Sequence, residues 1–141
     1  MARFIGFHNT PVANATLTAS EKQSLCLADE RDCADLYERG GRDVQHFTYE
    51  VGVEGSIMSE KKLQKLLREN GYERYVEDCV EYEATKLAAV RQMIIDEGYD
   101  AVIYGDTVEG CNYICCEIFN QDAIVSVTLC EVEAEEVDAE D

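Results

Sequence analysis

An α+β domain is what this chain predicts, and three observations carry that prediction. Apolar residues alternate with the two-residue period of strands at both ends of the chain. Segments with helical spacing lie between these ends, bunched rather than alternating strictly with the strands. Glycines stop the helical segments, and only 1 proline interrupts the chain. The 141 residues are enough for one domain with a sizeable core. The expected organisation is a single domain over 1–130 and an acidic tail over 131–141.

Arg3 to His8 alternates and reads as a strand. Asn9 to Gln23 is rich in Thr, Ala, Ser and Asn and reads as a loop, and Ser24 to Ala28 as a short strand. Asp29 stands where an N-cap belongs, with Glu30 and Asp32 in the first turn, where the helix dipole favours negative charge. Cys33, Leu36 and Tyr37 then share one helical face, and Gly40-Gly41 closes the helix. From Gln45 to Val53, Phe47, Tyr49, Val51 and Val53 point one way, the pattern of a half-buried strand. Ser59 caps a helix from Glu60 to Asn70 whose inner side is Leu63, Leu66 and Leu67, with Gly71 as the stop. A longer helix is expected from about Arg74 to Glu97, with a break near Tyr82. Val76, Val80, Ala84, Leu87, Val90 and Ile94 mark its inner face, and Gly98 ends it. Ala101 to Gly105 is a strand, Asp106 to Gly110 an acidic turn, and Asn112 to Ile118 a strand. Asn120 to Asp122 turns the chain into a last alternating strand, Ala123 to Val132. The tail has too few large apolar groups to offset the entropy of ordering it, so disorder is expected there.

The formal charge is −18; setting aside the seven acids of the tail leaves −11 for the body. An acidic body argues against direct nucleic-acid binding, because phosphate contacts need Lys and Arg. It suits plain solubility, or a basic protein partner approached by electrostatic steering. Of the seven cysteines none forms a Cys-x-x-Cys pair and none adjoins a histidine, so no metal site is expected. Most read as small core thiols in a reducing compartment. No run approaches the ~18–20 apolar residues of a membrane span. The first residues are too short an apolar stretch for a secretory signal. A cytoplasmic protein without a membrane partner is the expectation.

Three places can carry chemistry. His8 ends a short strand, where a neutral imidazole donates and accepts hydrogen bonds at once, a match for ribose hydroxyls; Thr10 follows on the same side. Tyr37, on a helix turn, can offer a flat face to a planar ring. Asp106 and Glu109 follow an apolar strand, where a carboxylate is held yet accessible and can stabilise developing positive charge. Each has an ordinary alternative: a surface histidine, a core tyrosine, a solvated acidic turn.

The order of these segments resembles the ADP-ribosyltransferase-like fold in the compact form carried by bacteriophages, a group that includes anti-CRISPR ADP-ribosyltransferases. The segments are Phe7-His8-Asn9-Thr10, then Leu25 to Asp29 leading to Ala34-Asp35-Leu36-Tyr37, then Phe47 to Val51. Late in the chain come Gly98-Tyr99-Asp100-Ala101-Val102-Ile103, Tyr113-Ile114-Cys115-Cys116, and Gln121-Asp122-Ala123-Ile124. The likeness spans about residues 4 to 127. It implies small split antiparallel sheets with three helices, and NAD as substrate. It implies that His8 contacts the adenosine ribose, that Thr10 sits beside the nicotinamide side of the pocket, and that Tyr37 stacks on nicotinamide. Asn112 stands before Tyr113 where the family usually has its acid. Asp106 matches an aspartate used one turn earlier in some compact members, with Glu109 in reserve. The implied activity is mono-ADP-ribosylation of a host protein, as phage counter-defence. The competing expectation is an acidic, non-enzymatic protein on the same fold that blocks a basic, nucleic-acid-binding partner.

Overall fold

The computed structural model describes residues 2–12, 14–37, 46–108 and 110–130; at 35–37 and 108 it describes the backbone alone. Among the described residues the strands are β1 (Ala2–Thr10), β2 (Leu25–Ala28), β3 (Phe47–Gly55), β4 (Ile57–Met58), β5 (Ala101–Val108), β6 (Cys111–Ile118) and β7 (Ile124–Leu129). The helices are α1 (Arg31–Tyr37), α2 (Glu60–Glu69), α3 (Glu73–Glu77), α4 (Glu81–Ala84) and α5 (Ala88–Asp96), and a 3-10 turn spans Gln121–Ala123. The chain is α+β.

The strands form one sheet in the order β4-β5-β6-β2-β1-β3-β7. Every pair is antiparallel except β4 with β5, which run parallel. Separate antiparallel sheets are therefore replaced by one mixed sheet. It has a weak seam. β1 pairs with β3 along its whole length, from Ala2↔Gly55 to Thr10↔Phe47, whereas β1 meets β2 only at Phe7↔Ala28. Gly6 permits that approach. A Cβ there would stand 2.8 Å from the Leu27 Cβ and 3.1 Å from the Ala28 carbonyl oxygen.

α2 begins as its sequence predicts: the Ser59 hydroxyl accepts from the Lys62 amide at 3.2 Å. Its inner face, Leu63, Leu66 and Leu67, is buried. The helix expected from Arg74 to Glu97 with a break near Tyr82 is instead three pieces, α3, α4 and α5, parted at 78–80 and again at 85–87. Cys79 takes φ 57, left-handed for a residue with a Cβ, and Leu87 is extended at ψ 129. The reason lies in the apolar spacing. Ala84 and Val90, both fully buried, are six residues apart, so a straight helix would hold them about 120° from each other. Breaking the helix lets both face the core. Gly98, at φ 91, ends the last piece. Asp29 does not cap α1: its carboxylate accepts from the Ile114 amide at 2.8 Å, extending the β2–β6 pairing. The expected acidic turn is shorter, because β5 continues through Asp106, which pairs with Tyr113.

Two cores flank the sheet. On one face the helices pack Leu63, Leu67, Val90 and Ile94 against Met58, Val102, Tyr104 and Cys115. On the other, Leu17 and Ala19 of the loop before β2 cover Leu27, Val51, Val53, Cys116 and Ile118. Burying a side chain such as Leu67 contributes ~1.5–3 kcal/mol. Cys33 of α1 and Cys111 of β6 are joined in a disulfide, with Cα atoms 6.0 Å apart. The reading of the cysteines as small core thiols is thus corrected for these two; it stands for the buried Cys115 and Cys116, whereas Cys26 is half-buried and Cys79 is exposed. Among the described residues no helix is long and apolar enough to cross a membrane.

Candidate functional site

A cavity of about 110 Å³ lies beside the seam, between the helical layer and the sheet. β1 supplies Phe7, His8 and Asn9; β5 and β6 supply Tyr104, Asp106, Tyr113 and Glu117; the helical layer supplies Ala34, Tyr82, Lys86 and Arg91. His8 and Asp106, nearly a hundred positions apart in sequence, thus line one wall system.

His8 lies where β1 parts from β2. Its Nδ1 is 3.1 Å from the Cys26 carbonyl oxygen. A carbonyl only accepts, so Nδ1 carries the hydrogen and donates, which leaves Nε2 as an acceptor in the neutral ring. Asn9 behind it is buried. Its amide nitrogen donates to the Thr48 hydroxyl at 2.8 Å, and its carbonyl oxygen accepts from His46 Nδ1 at 2.8 Å.

Asp106 is held at both oxygens. Oδ1 accepts from the Thr107 amide at 2.8 Å, and Oδ2 accepts from the Tyr113 hydroxyl at 3.1 Å. The carboxylate is half-buried and faces the cavity beside Tyr82. The Tyr82 phenol is pushed up, first by the neighbouring Glu83 and to a smaller extent by Asp106.

The far end of the cavity is a buried polar cluster. Glu117 Oε1 accepts from the Tyr104 hydroxyl at 2.9 Å, and Oε2 accepts from the Ser24 hydroxyl at 2.6 Å. Arg91 approaches the same oxygen at 3.4 Å, with side-chain exposures of 16% for Arg91 and 3% for Glu117. The remaining Arg91 donors go to the carbonyls of Thr85, Glu21 and Lys22. Burial, then Cys115 and Glu117, pushes the Tyr104 phenol far up, so it stays a donor. A hydrogen bond with Cys26, together with burial, pushes the Cys115 thiol up, and burial pushes that of Cys116 up to about 12.

Of the residues singled out in the sequence, His8 and Asp106 come together at this cavity. Thr10 is not in its lining; its hydroxyl accepts from the Val12 amide at 3.2 Å. Glu109 and the side chain of Tyr37 lie outside the described residues, as does the tail. Asn112 accepts from the Thr107 hydroxyl at 2.9 Å and is likewise not in the lining. Sequence reasoning missed Arg91 and Glu117. Glu117 left one signal, an acid inside the apolar run Ile114-Cys115-Cys116-Ile118; Arg91 left none. Among the described residues no group of three or more His, Cys, Asp or Glu is arranged to hold a metal ion.

The arrangement combines aromatic walls from Phe7, Tyr82 and Tyr113 with an imidazole and two carboxylates, Asp106 facing the space and Glu117 held by Tyr104, Ser24 and Arg91. Such a site can hold a flat ring and place negative charge beside a centre that becomes positive. No family model, no curated protein and no solved structure matches the chain.

Proposed function

We propose that the protein is an NAD-dependent mono-ADP-ribosyltransferase acting on a host protein, as phage counter-defence. The observation that supports this best is the convergence of His8 and Asp106 on one cavity at the seam between β1 and β2. The residues present fit one end of the dinucleotide: an aromatic-walled slot for the nicotinamide ring, the imidazole for a ribose hydroxyl, and the carboxylate for the ribose carbon. The cavity is smaller than the ~300–1,000 Å³ usual for a ligand of that size, so only part of the molecule is enclosed.

In this reading His8 accepts a hydrogen bond from a hydroxyl of the nicotinamide-side ribose through Nε2, in place of the adenosine ribose that the resemblance implies. Asp106, oriented by Tyr113, holds its charge beside the anomeric carbon. The bond from that carbon to nicotinamide breaks, with the electron pair leaving on nicotinamide. A nucleophile on the target bonds to the same carbon and gives up its proton. A positioned stabiliser of this kind is worth ~3–4 kcal/mol, or about 10²–10³ in rate.

Calorimetry and nicotinamide release test this together. Wild-type protein should bind NAD at micromolar Kd, and His8→Ala should abolish that binding. Asp106→Ala should still bind, with nicotinamide release and target labelling down about 10²–10³-fold. Unimpaired labelling by both variants would sink the assignment. The net charge of −18 favours a second reading, an acidic protein that blocks a basic partner. Strongly salt-dependent partner binding with no NAD requirement would select it.

A further inference from the structure

We propose that Lys86, seconded by Lys22, is the subsite for the diphosphate of the dinucleotide, an inference that rests on the transferase reading above. The enclosed space beside Asp106 holds one end of that ligand, so the rest must leave through the mouth. Among the described residues, two grooves share lining residues with the cavity. One shares Asp106 and Tyr82 with it and adds Glu60 and Glu81. A diphosphate, carrying two negative charges, is repelled there. The other shares Lys86 and Arg91 with the cavity and adds Lys22, with Glu21 as the only acid in its lining. In a chain with 30 acids and 12 bases, that local excess of cations is the favourable exit.

The two shared cations differ in what they can offer. Arg91 is committed to Glu117, Ser24 and three backbone carbonyls. Lys86 is exposed, has no ion-pair partner among the described residues, and keeps its ammonium 5.7 Å from the Tyr82 ring centre at the cavity mouth. Two lysines of α2, by contrast, are paired, Lys62 with Glu97 at 3.6 Å and Lys65 with Glu69 at 4.0 Å. An ammonium with three donors on a flexible stem can follow a phosphate without rearranging the sheet. The ligand's polarity follows: the nicotinamide end toward Asp106, the adenosine end out over Lys86 and Lys22.

The test is calorimetry with NAD and with nicotinamide riboside, which keeps the ring and ribose and lacks phosphate. Lys86→Gln should weaken NAD about tenfold, and Lys22→Gln added to it should weaken NAD further, while riboside affinity stays at the wild-type value. Lys86→Arg should stay within about twofold of wild type for both, since the charge is kept. The salt dependence of NAD binding should flatten in Lys86→Gln, a readout that a packing defect does not produce. If wild-type protein binds NAD and Lys86→Gln binds it equally tightly, or loses the riboside in parallel, the subsite is wrong and the transferase reading survives. If wild-type protein binds neither ligand, both fall.

Discussion

Two carboxylates in one cavity, Asp106 and Glu117, have different work because their neighbours differ. Glu117 is surrounded by donors from Tyr104, Ser24 and Arg91, so its lone pairs are committed to holding the structure. Among the described residues Asp106 is tied by the Thr107 amide and the Tyr113 hydroxyl, and it faces open space. Cys116 gives a prediction at this scale. Its thiol sits at about 12 in the fold against 9.0 ordinarily, raised by burial. Below pH 9 both folded and unfolded chains keep the proton, and its stabilising contribution is complete. Above that the unfolded chain loses the proton first, so stability falls as pH rises from 9 toward 12. Urea unfolding across this range should show that loss, and Cys116→Ala should show a shallower one. Equal slopes for the two proteins would mean that other groups, such as Tyr104, dominate the alkaline limb.

Among the elements, the seam between β1 and β2 decides whether the cavity exists. Gly6→Ala puts a Cβ into Leu27 and the Ala28 carbonyl, so β2 must move off. The expected cost is ~1–3 kcal/mol of stability, accompanied by weaker NAD binding, read by urea denaturation and calorimetry. Stability unchanged would mean that the strands have slack. Arg91 joins α5 to β6 and to the loop before β2 through Glu117 and the carbonyls of Glu21 and Lys22. Arg91→Met removes one partner of a buried pair and should cost ~3–5 kcal/mol. Arg91→Met combined with Glu117→Gln should recover part of that loss. The Ser59 cap was legible in the chain because it belongs to its own helix end; His8 and Asp106 stood out beside expected strand ends, although both lie within strands that run further, to Thr10 and Val108. The Arg91–Glu117 pair was not, since a contact between residues 26 apart leaves no local mark. The broken helix was half legible: the glycine stop and one break, expected near Tyr82, were visible, but helical spacing concealed the second break between Ala84 and Val90.

For the molecule as a whole, the Cys33–Cys111 bond closes a loop with a sequence separation of 78 and ties α1 to the β5–β6 hairpin that carries Asp106. On chain-entropy grounds it stabilises the fold by ~4 kcal/mol. Urea unfolding with and without a thiol reductant should show a lower midpoint in the reduced protein, and Cys33→Ser should no longer respond to the reductant. An unchanged midpoint would mean that reduction leaves the denatured chain as compact as before.

What the amino-acid order determined alone was whatever has a short physical range. Strand and helix periods, the capping serine, the stopping glycines, the α+β class and the acidic charge all follow from neighbours within a few residues. Tertiary structure decided the rest: one mixed sheet with a weak seam, a disulfide between distant cysteines, and the meeting of an early imidazole with a late carboxylate. Those depend on which strands lie side by side, and strand order is set by how two hydrophobic faces are covered at once, a balance summed over the whole chain.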